Sequence, residues 1–115
     1  MTQGAQSTLL DLLKQWGSVD PRRVERAQEI VDLGRVRVIT ATPQDIVGEI
    51  VGRYRTSITL DAADPSVLDL ECDCPDWQQR GQHFSQPCKH LLALALKVGP
   101  VPDNGVVVVP KGFTF

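Results

Sequence analysis

Residues 72–90 of this 115-residue chain read "CDCPDWQQRGQHFSQPCKH" and hold all three cysteines and both histidines. An odd number of cysteines leaves one thiol over in any disulfide scaffold, and a nucleophilic Cys–His pair needs only one thiol. A metal ion uses all three thiols together with one imidazole, and Cys₃His is a standard structural zinc set. The stretch therefore predicts one structural Zn²⁺ ion with four ligands. They are Cys72, Cys74, Cys88 and His90.

The spacing inside each half of the stretch predicts its local structure. Two sulfurs on one zinc lie about 3.8 Å apart, whereas residues i and i+2 of a strand are separated by about 6.6 Å. The chain must therefore bend between Cys72 and Cys74, and Pro75 ends regular pairing there. Residues two apart in a helix face nearly opposite sides. We therefore expect Cys88 at or before the first turn of a helix, with His90 inside it and "LLALALK" continuing it.

Cys-x-Cys, a variable loop and Cys-x-His at the start of an apolar helix together resemble the SWIM zinc finger. The resemblance extends over residues 34–97 and rests on Cys72, Cys74, Cys88 and His90, on Pro75 in "CDCPDW", and on "CKHLLALAL". SWIM modules occur beside Snf-type helicase-like ATPases, in Mutator-type transposases, and in recombination and ubiquitin-pathway proteins. The resemblance implies zinc binding with DNA or protein contact, and no catalysis by the module itself.

Two features of the stretch have simpler interpretations. Free cysteines are often buried as small hydrophobic residues, although the grouping of every cysteine and histidine favours a metal. His83 lies in the polar segment "QQRGQHFSQ" and has no partner at ligand spacing. We therefore interpret His83 as a solvated histidine of the loop.

Residues 7–33 predict two amphipathic N-terminal helices. Ser7 is the candidate N-cap of the first helix, and Gly17 ends it. Asp20 and Pro21 start the second as N-cap and first helical residue, and Gly34 stops it. The apolar faces are Leu9, Leu12, Leu13 and Trp16 in the first helix, and Val24, Ala27, Ile30 and Val31 in the second.

Residues 35–71 predict β-strands. We expect strands at 35–40, 45–51, 54–60 and 68–72, with Gly52 and Arg53 forming a turn between the second and third. The second strand is apolar on both faces apart from Glu49, which favours a central position. The predicted fold class is α+β: a small antiparallel sheet with N-terminal helices and a C-terminal finger helix, held at one end by one structural zinc.

We expect a single domain over residues 1–115, with the finger at 72–97 and a C-terminal turn and strand or tail at 100–115. The valine run 106–109 predicts a last strand on the sheet edge; a segment that pairs with a partner's edge is the alternative. No run is long enough to span a membrane. The start, "MTQGAQSTLLDLL", has no secretion signal, so we expect a reducing cytoplasm.

The charge pattern leaves the ligand of the domain open. The formal net charge of −2 does not favour nucleic-acid binding, and the strand entering the finger has an acidic outward side formed by Asp69, Glu71 and Asp73. Basic residues gather elsewhere, including Arg22, Arg23 and Arg26 on the second helix. The candidate phosphate-binding residues are Arg35, Arg37, Arg53, Arg55 and Lys89. Ordinary solvated surface is the alternative interpretation.

Two functions therefore remain. One is a protein-interaction adaptor for a DNA-processing complex, with a helicase-like ATPase or a recombination factor as the expected partner, bound through the acidic strand or the C-terminal valines. The alternative is a nucleic-acid-binding accessory protein that contacts DNA through an arginine-lined face. We expect no enzyme, because four protein ligands leave no zinc-bound water and the sequence has no Gly-rich phosphate loop or catalytic triad pattern.

Overall fold

A computed structural model describes residues 8–50, 53–61, 63–64, 67–81 and 86–101. The helices in these ranges are α1 (Leu9–Trp16), α2 (Pro21–Asp32) and α3 (Lys89–Val98), and the strands are β1 (Val36–Ala41), β2 (Asp45–Ile50), β3 (Tyr54–Leu60) and β4 (Leu68–Cys72). A π-helical turn, Trp77–Gly81, lies between β4 and α3. The strands form one antiparallel sheet in the order β1-β2-β3-β4. The predicted α+β class is confirmed.

Side-chain caps set the start of both N-terminal helices. The hydroxyl of Thr8 accepts a hydrogen bond from the amide of Asp11, whose carboxylate accepts one from the amide of Thr8. This capping box needs an acidic or amide side chain three residues after the cap, and Ser7 has Leu10 there instead. The prediction of Ser7 as the cap is therefore wrong by one residue. Asp20 caps α2 as predicted, accepting from the amide of Arg22 at 2.9 Å.

The sheet follows the predicted strands closely, with one shift in β1. β2 lies between β1 and β3, which confirms its central position. β1 begins at Val36 because the amide of Arg35 donates to the carbonyl of Ile30 at 3.1 Å, within the turn that leaves α2. Gly34, with a φ of 69°, provides the left-handed residue of that turn. Arg35 was predicted on a strand and instead belongs to this connection.

Helix α3 forms the centre of the core. Every residue at positions 91–95 is buried. One side of α3 packs against the inner face of the sheet, and the other sides pack against α1 and α2. The amide of Leu9 donates to the carbonyl of Gly99 at 2.8 Å, which ties the start of α1 to the end of α3. A helix that is apolar nearly all round needs this enclosure.

A glycine in the central strand allows α3 to approach the sheet. A Cβ atom at Gly48 would lie 2.6 Å from Cδ1 of Leu94 and 3.3 Å from the carbonyl oxygen of Arg37. Leu94 is fully buried, so its side chain has no free space into which to move. The separation of α3 and β2 thus depends on the missing side chain at Gly48.

Several predictions fall outside the described residues. They concern Gly52 in the turn, the loop histidine His83, and the valine strand 106–109. Arg53 of the same turn is described, and its amide donates to the carbonyl of Ile50 at 3.0 Å. Within the described part of the chain, no helix is long and apolar enough to cross a membrane. The division into one domain over residues 1–115 stays a prediction.

We predict that Gly48→Ala destabilises the protein by about 1–3 kcal/mol, because the added methyl group overpacks the contact with Leu94. Urea unfolding measures this cost. In a Leu94→Ala background the same substitution should cost clearly less, since the space is then open. Thr59→Ala, on the exposed side of β3, is the control and should change stability little. An equal cost of Gly48→Ala in both backgrounds would show that overpacking against Leu94 is not the cause of the destabilisation.

Candidate metal centre

Two ligand pairs from different elements meet at one point. Cys72 is the last residue of β4, and Cys74 lies in the bend after it. Cys88 is the N-cap of α3, and His90 lies in its first turn. The four candidate ligand atoms all lie within 4.8 Å of one another, and all four residues are buried. The three thiols are free, and Nδ1 of His90 lies 3.9 Å from Sγ of Cys72.

The predicted bend between the first two cysteines is present. Strand pairing ends at Cys72, opposite Thr56. The backbone of Asp73 still bonds to β3, since its amide donates to the carbonyl of Arg55 at 3.2 Å. Sγ of Cys74 then accepts a hydrogen bond from the amide of Trp77 at 3.4 Å. This bond directs the second sulfur back towards the first.

The cluster fits one zinc ion. In a tetrahedral site, two sulfurs lie about 3.8 Å apart, and a sulfur and an imidazole nitrogen about 3.6 Å apart. The separation of 3.9 Å between Cys72 and His90 and the overall limit of 4.8 Å require only small side-chain adjustments to reach those values. Three thiolates and one imidazole are a standard donor set for zinc. A bound zinc would link the end of β4 to the start of α3.

The three sulfurs also shift one another's pKa values. Hydrogen bonds from Cys72 and Cys88 hold the pKa of Cys74 far below its ordinary value. The hydrogen bonds with Cys74 and Cys88, followed by burial, raise the pKa of Cys72 far above its ordinary value. The sulfurs therefore favour one thiolate supported by protonated neighbours. A divalent cation stabilises the further thiolates, so metal binding releases protons.

Tyr54 contacts the histidine of the cluster, and Arg53 contacts Tyr54. The rings of Tyr54 and His90 are stacked, with centroids 4.6 Å apart and an angle of 28° between their planes. The guanidinium carbon of Arg53 lies 5.4 Å from the centroid of the Tyr54 ring. Stacking restricts rotation of the imidazole and so orients its ligand nitrogen. No sequence spacing connects Tyr54 with His90, so this contact was not predicted.

Arg23 of α2 connects the two halves of the finger. Its Nη1 atom lies 3.2 Å from Oδ2 of Asp76, which follows the first cysteine pair. The same atom donates to the carbonyl oxygen of Pro87, the residue before Cys88, at 3.4 Å. The sequence places Arg23 among the other basic residues of α2, and this role was not predicted. Arg23 lies far from the finger along the chain, so no local sequence pattern predicts the contact.

Trp77 begins a helical turn where the sequence predicted only a variable loop. The prediction is wrong for Trp77–Gly81, which forms the π-helical turn. Trp77 is buried, and its ring lies against Trp16 with centroids 5.8 Å apart. This contact places the finger against α1 and makes part of the loop a piece of the core. The one sequence feature that could have predicted this burial is a tryptophan in an otherwise polar segment.

The predicted phosphate-binding residues do not share one face. Arg37 and Arg55 lie on the outer side of the sheet, where both are cross-strand neighbours of Glu49. Arg53 lies over the Tyr54 ring. Arg35 and Lys89 instead line a cleft between α2 and the start of α3. The structure brings only these last two of the five predicted residues together at one cleft.

Residues 54–99 match the family model of the SWIM zinc finger. The matched segment begins with β3, ends just after α3, and includes all four residues of the cluster. The chain therefore carries a SWIM zinc finger, and the cluster is that of a single-zinc site. No curated protein and no solved structure matches the chain.

We predict one zinc ion per chain, lost when a ligand is removed. Structural zinc sites bind with apparent free energies of about 10 kcal/mol or more, so one ligand of four accounts for about 2–3 kcal/mol. His90→Ala and Cys88→Ser should therefore lower both zinc content and melting temperature strongly. His83→Ala is the matched control and should change zinc content and melting temperature only slightly. Elemental analysis with thermal unfolding measures both quantities. Equal stability of the two histidine variants would contradict the ligand assignment.

We predict a smaller effect for Arg23→Gln. Its ion pair with Asp76 is partly exposed, so the substitution should cost about 0.5–1 kcal/mol and speed zinc transfer to a chelator severalfold. Arg22→Gln, at an exposed neighbouring position of the same helix, is the control. Stopped-flow transfer to a coloured chelator measures the rate. Identical rates for the two variants would mean that Arg23 does not hold the finger closed.

Proposed function

We propose that this chain is a zinc-stabilised, non-catalytic adaptor that binds a protein partner within a DNA-processing complex. The observation that carries the proposal is a row of alternating charges across the outer face of the sheet: Arg37 on β1, Glu49 on β2, Arg55 on β3 and Asp73 just beyond β4. Arg37 and Glu49 form an ion pair. The arginines on this face therefore stand between carboxylates, which weakens any attraction for phosphate.

The remaining outer positions of the sheet add negative charge. Asp45, Asp69 and Glu71 are exposed, and Asp69 and Asp45 both neighbour Thr59 across the strands. A nucleic-acid backbone on this face would meet more carboxylates than cations. Alternating charges on a sheet surface instead suit a protein partner with complementary charges, because opposite signs fix orientation and exclude incorrect partners.

The zinc centre supports a structural role within this proposal. Its four candidate ligands are protein side chains and are buried, so a zinc bound there would have no open position for a reacting water. Three reduced thiols also fit the reducing cytoplasm as the location. A helicase-like ATPase or a recombination factor is the partner that the SWIM finger favours. The partner surface would then be carried by the sheet and helices that the zinc holds together.

Nucleic-acid binding is the second candidate, and one observation favours it. A cleft of about 320 Å³ beside the metal centre is lined by Arg23, Arg26 and Lys89, with Asp76 as its carboxylate. Arg23 is already paired with Asp76. This leaves Arg26 and Lys89 as the cations available for a phosphate at this cleft.

The adaptor hypothesis predicts no oligonucleotide binding that depends on the sheet. Labelled single- and double-stranded DNA and RNA are titrated with the zinc-loaded protein at several salt concentrations. The variants neutralise Arg35, Arg37, Arg53 and Arg55 together, or Arg26 with Lys89. Unchanged anisotropy at low salt is the expected result. Binding whose logarithmic salt slope falls by about 0.7–0.9 for each neutralised cation would support a nucleic-acid role instead, and the responding set would locate it.

A further inference from the structure

An exposed apolar surface lies among basic side chains where α2 ends. Leu33, the C-cap of α2, is 65% exposed, and Ile30 in the preceding turn is half-buried. Both residues line a cleft of about 390 Å³ together with Arg26, Arg35 and Lys89, and Glu29 is the one carboxylate among the described residues of this lining. We call the surface formed by Arg26, Ile30, Leu33, Arg35 and Lys89 the α2–α3 cleft.

Within the described part of the chain, the cations of the α2–α3 cleft take part in no ion pair. In the described ranges the ion pairs are Arg23 with Asp76 and Arg37 with Glu49. Arg26, Arg35 and Lys89 take part in neither pair, and all three are exposed. Three cations facing one carboxylate give the cleft a positive potential, in contrast with the outer face of the sheet.

Backbone hydrogen bonds at the end of α2 fix the position of Leu33. Its amide donates to the carbonyl of Glu29 at 2.9 Å, and the amide of Gly34 donates to the carbonyl of Val31 at 2.9 Å. These bonds fix the backbone without requiring an apolar side chain, so a polar residue would serve the turn equally well. Among the described residues, only Leu33 and Val67 are large exposed hydrophobics. Leu33 therefore adds an exposed apolar contact to the cations of the cleft, a combination that suits an amphipathic ligand.

We propose that the α2–α3 cleft is the docking site for an acidic peptide segment of a protein partner, a proposal that rests on the adaptor function above. One apolar side chain of the segment covers Ile30 and Leu33, and flanking carboxylates meet Arg26, Arg35 and Lys89. A nucleic-acid backbone would use the cations but leave Leu33 uncovered. Among the described residues that line the cleft, none has an aromatic ring on which a base would stack.

The position of Lys89 connects this docking site with the metal centre. Lys89 lies between Cys88 and His90 and also lines the cleft beside the cluster, as does Arg26. A zinc held by those two neighbours fixes the backbone that carries Lys89. The partner therefore meets a preformed cation arrangement only when the finger is closed, which lowers the ordering cost of binding.

The test begins with a phage selection of random 12-residue peptides on the zinc-loaded protein. We expect enriched peptides that combine Asp or Glu with a large apolar residue. Anisotropy with the labelled peptides then compares the wild type with Leu33→Ser and Arg26→Glu, and each variant should weaken binding at least about tenfold. Val67→Ser, the other exposed hydrophobic residue, and Arg22→Glu, on the same helix, are the matched controls and should bind as the wild type does. Zinc content and melting temperature confirm folding, and Arg35→Glu replaces any variant that fails this check.

The outcomes separate this site from the adaptor function. Peptides that bind equally to wild type, Leu33→Ser and Arg26→Glu, but are lost with Glu71→Lys, overturn the docking site and leave an adaptor that uses the sheet. A selection without enriched peptides overturns the docking site. If oligonucleotides then bind in an Arg26-dependent manner, the adaptor function fails as well.

Discussion

The convergence of three sulfurs and one imidazole within 4.8 Å is the constraint on which the rest of the structure depends. It joins the end of β4 to the start of α3, and α3 supplies the buried centre of the core. A closed finger fixes the position at which α3 meets the sheet, and Gly48 provides the space for that approach. α1 and α2 then cover the opposite sides of the same helix. The metal centre and the core are therefore parts of one arrangement.

The sequence predicted the elements well because their signals are local. Alternation predicted β3 and β4 with their observed bounds, and the requirement that i and i+2 ligands converge predicted the bend after Cys72 and the helix start at Cys88. Contacts between distant segments had no such signal. The stacking of Tyr54 on His90, the contacts of Arg23 with the finger and the packing of Trp77 on Trp16 each depend on the assembled fold. The position of Glu49 between Arg37 and Arg55 likewise follows from strand register, which the sequence alone did not predict, and nucleic-acid binding by the predicted arginines stays a prediction.

The surface divides into two regions of different chemistry. The outer face of the sheet alternates in sign and carries excess carboxylates, whereas the α2–α3 cleft combines three exposed cations with an exposed leucine. Complementary local charges at an interface fix the orientation of a partner and exclude incorrect partners. Lys89 connects the α2–α3 cleft with the metal centre, because it lies between the candidate ligands Cys88 and His90. Under the proposed adaptor function, the metal would stabilise the fold and also preform the docking surface.

Amide hydrogen exchange of residues 91–95, with zinc bound and after chelation, tests the central claim most directly. These amides belong to a buried helix whose N-terminal end carries two of the four candidate ligands. If the zinc holds α3 in place, chelation should speed their exchange by at least about 100-fold, because the binding energy of a structural zinc is also folding energy. The exposed end of α2 should change less. Full protection of residues 91–95 without zinc would contradict the account and assign the position of α3 to apolar packing alone.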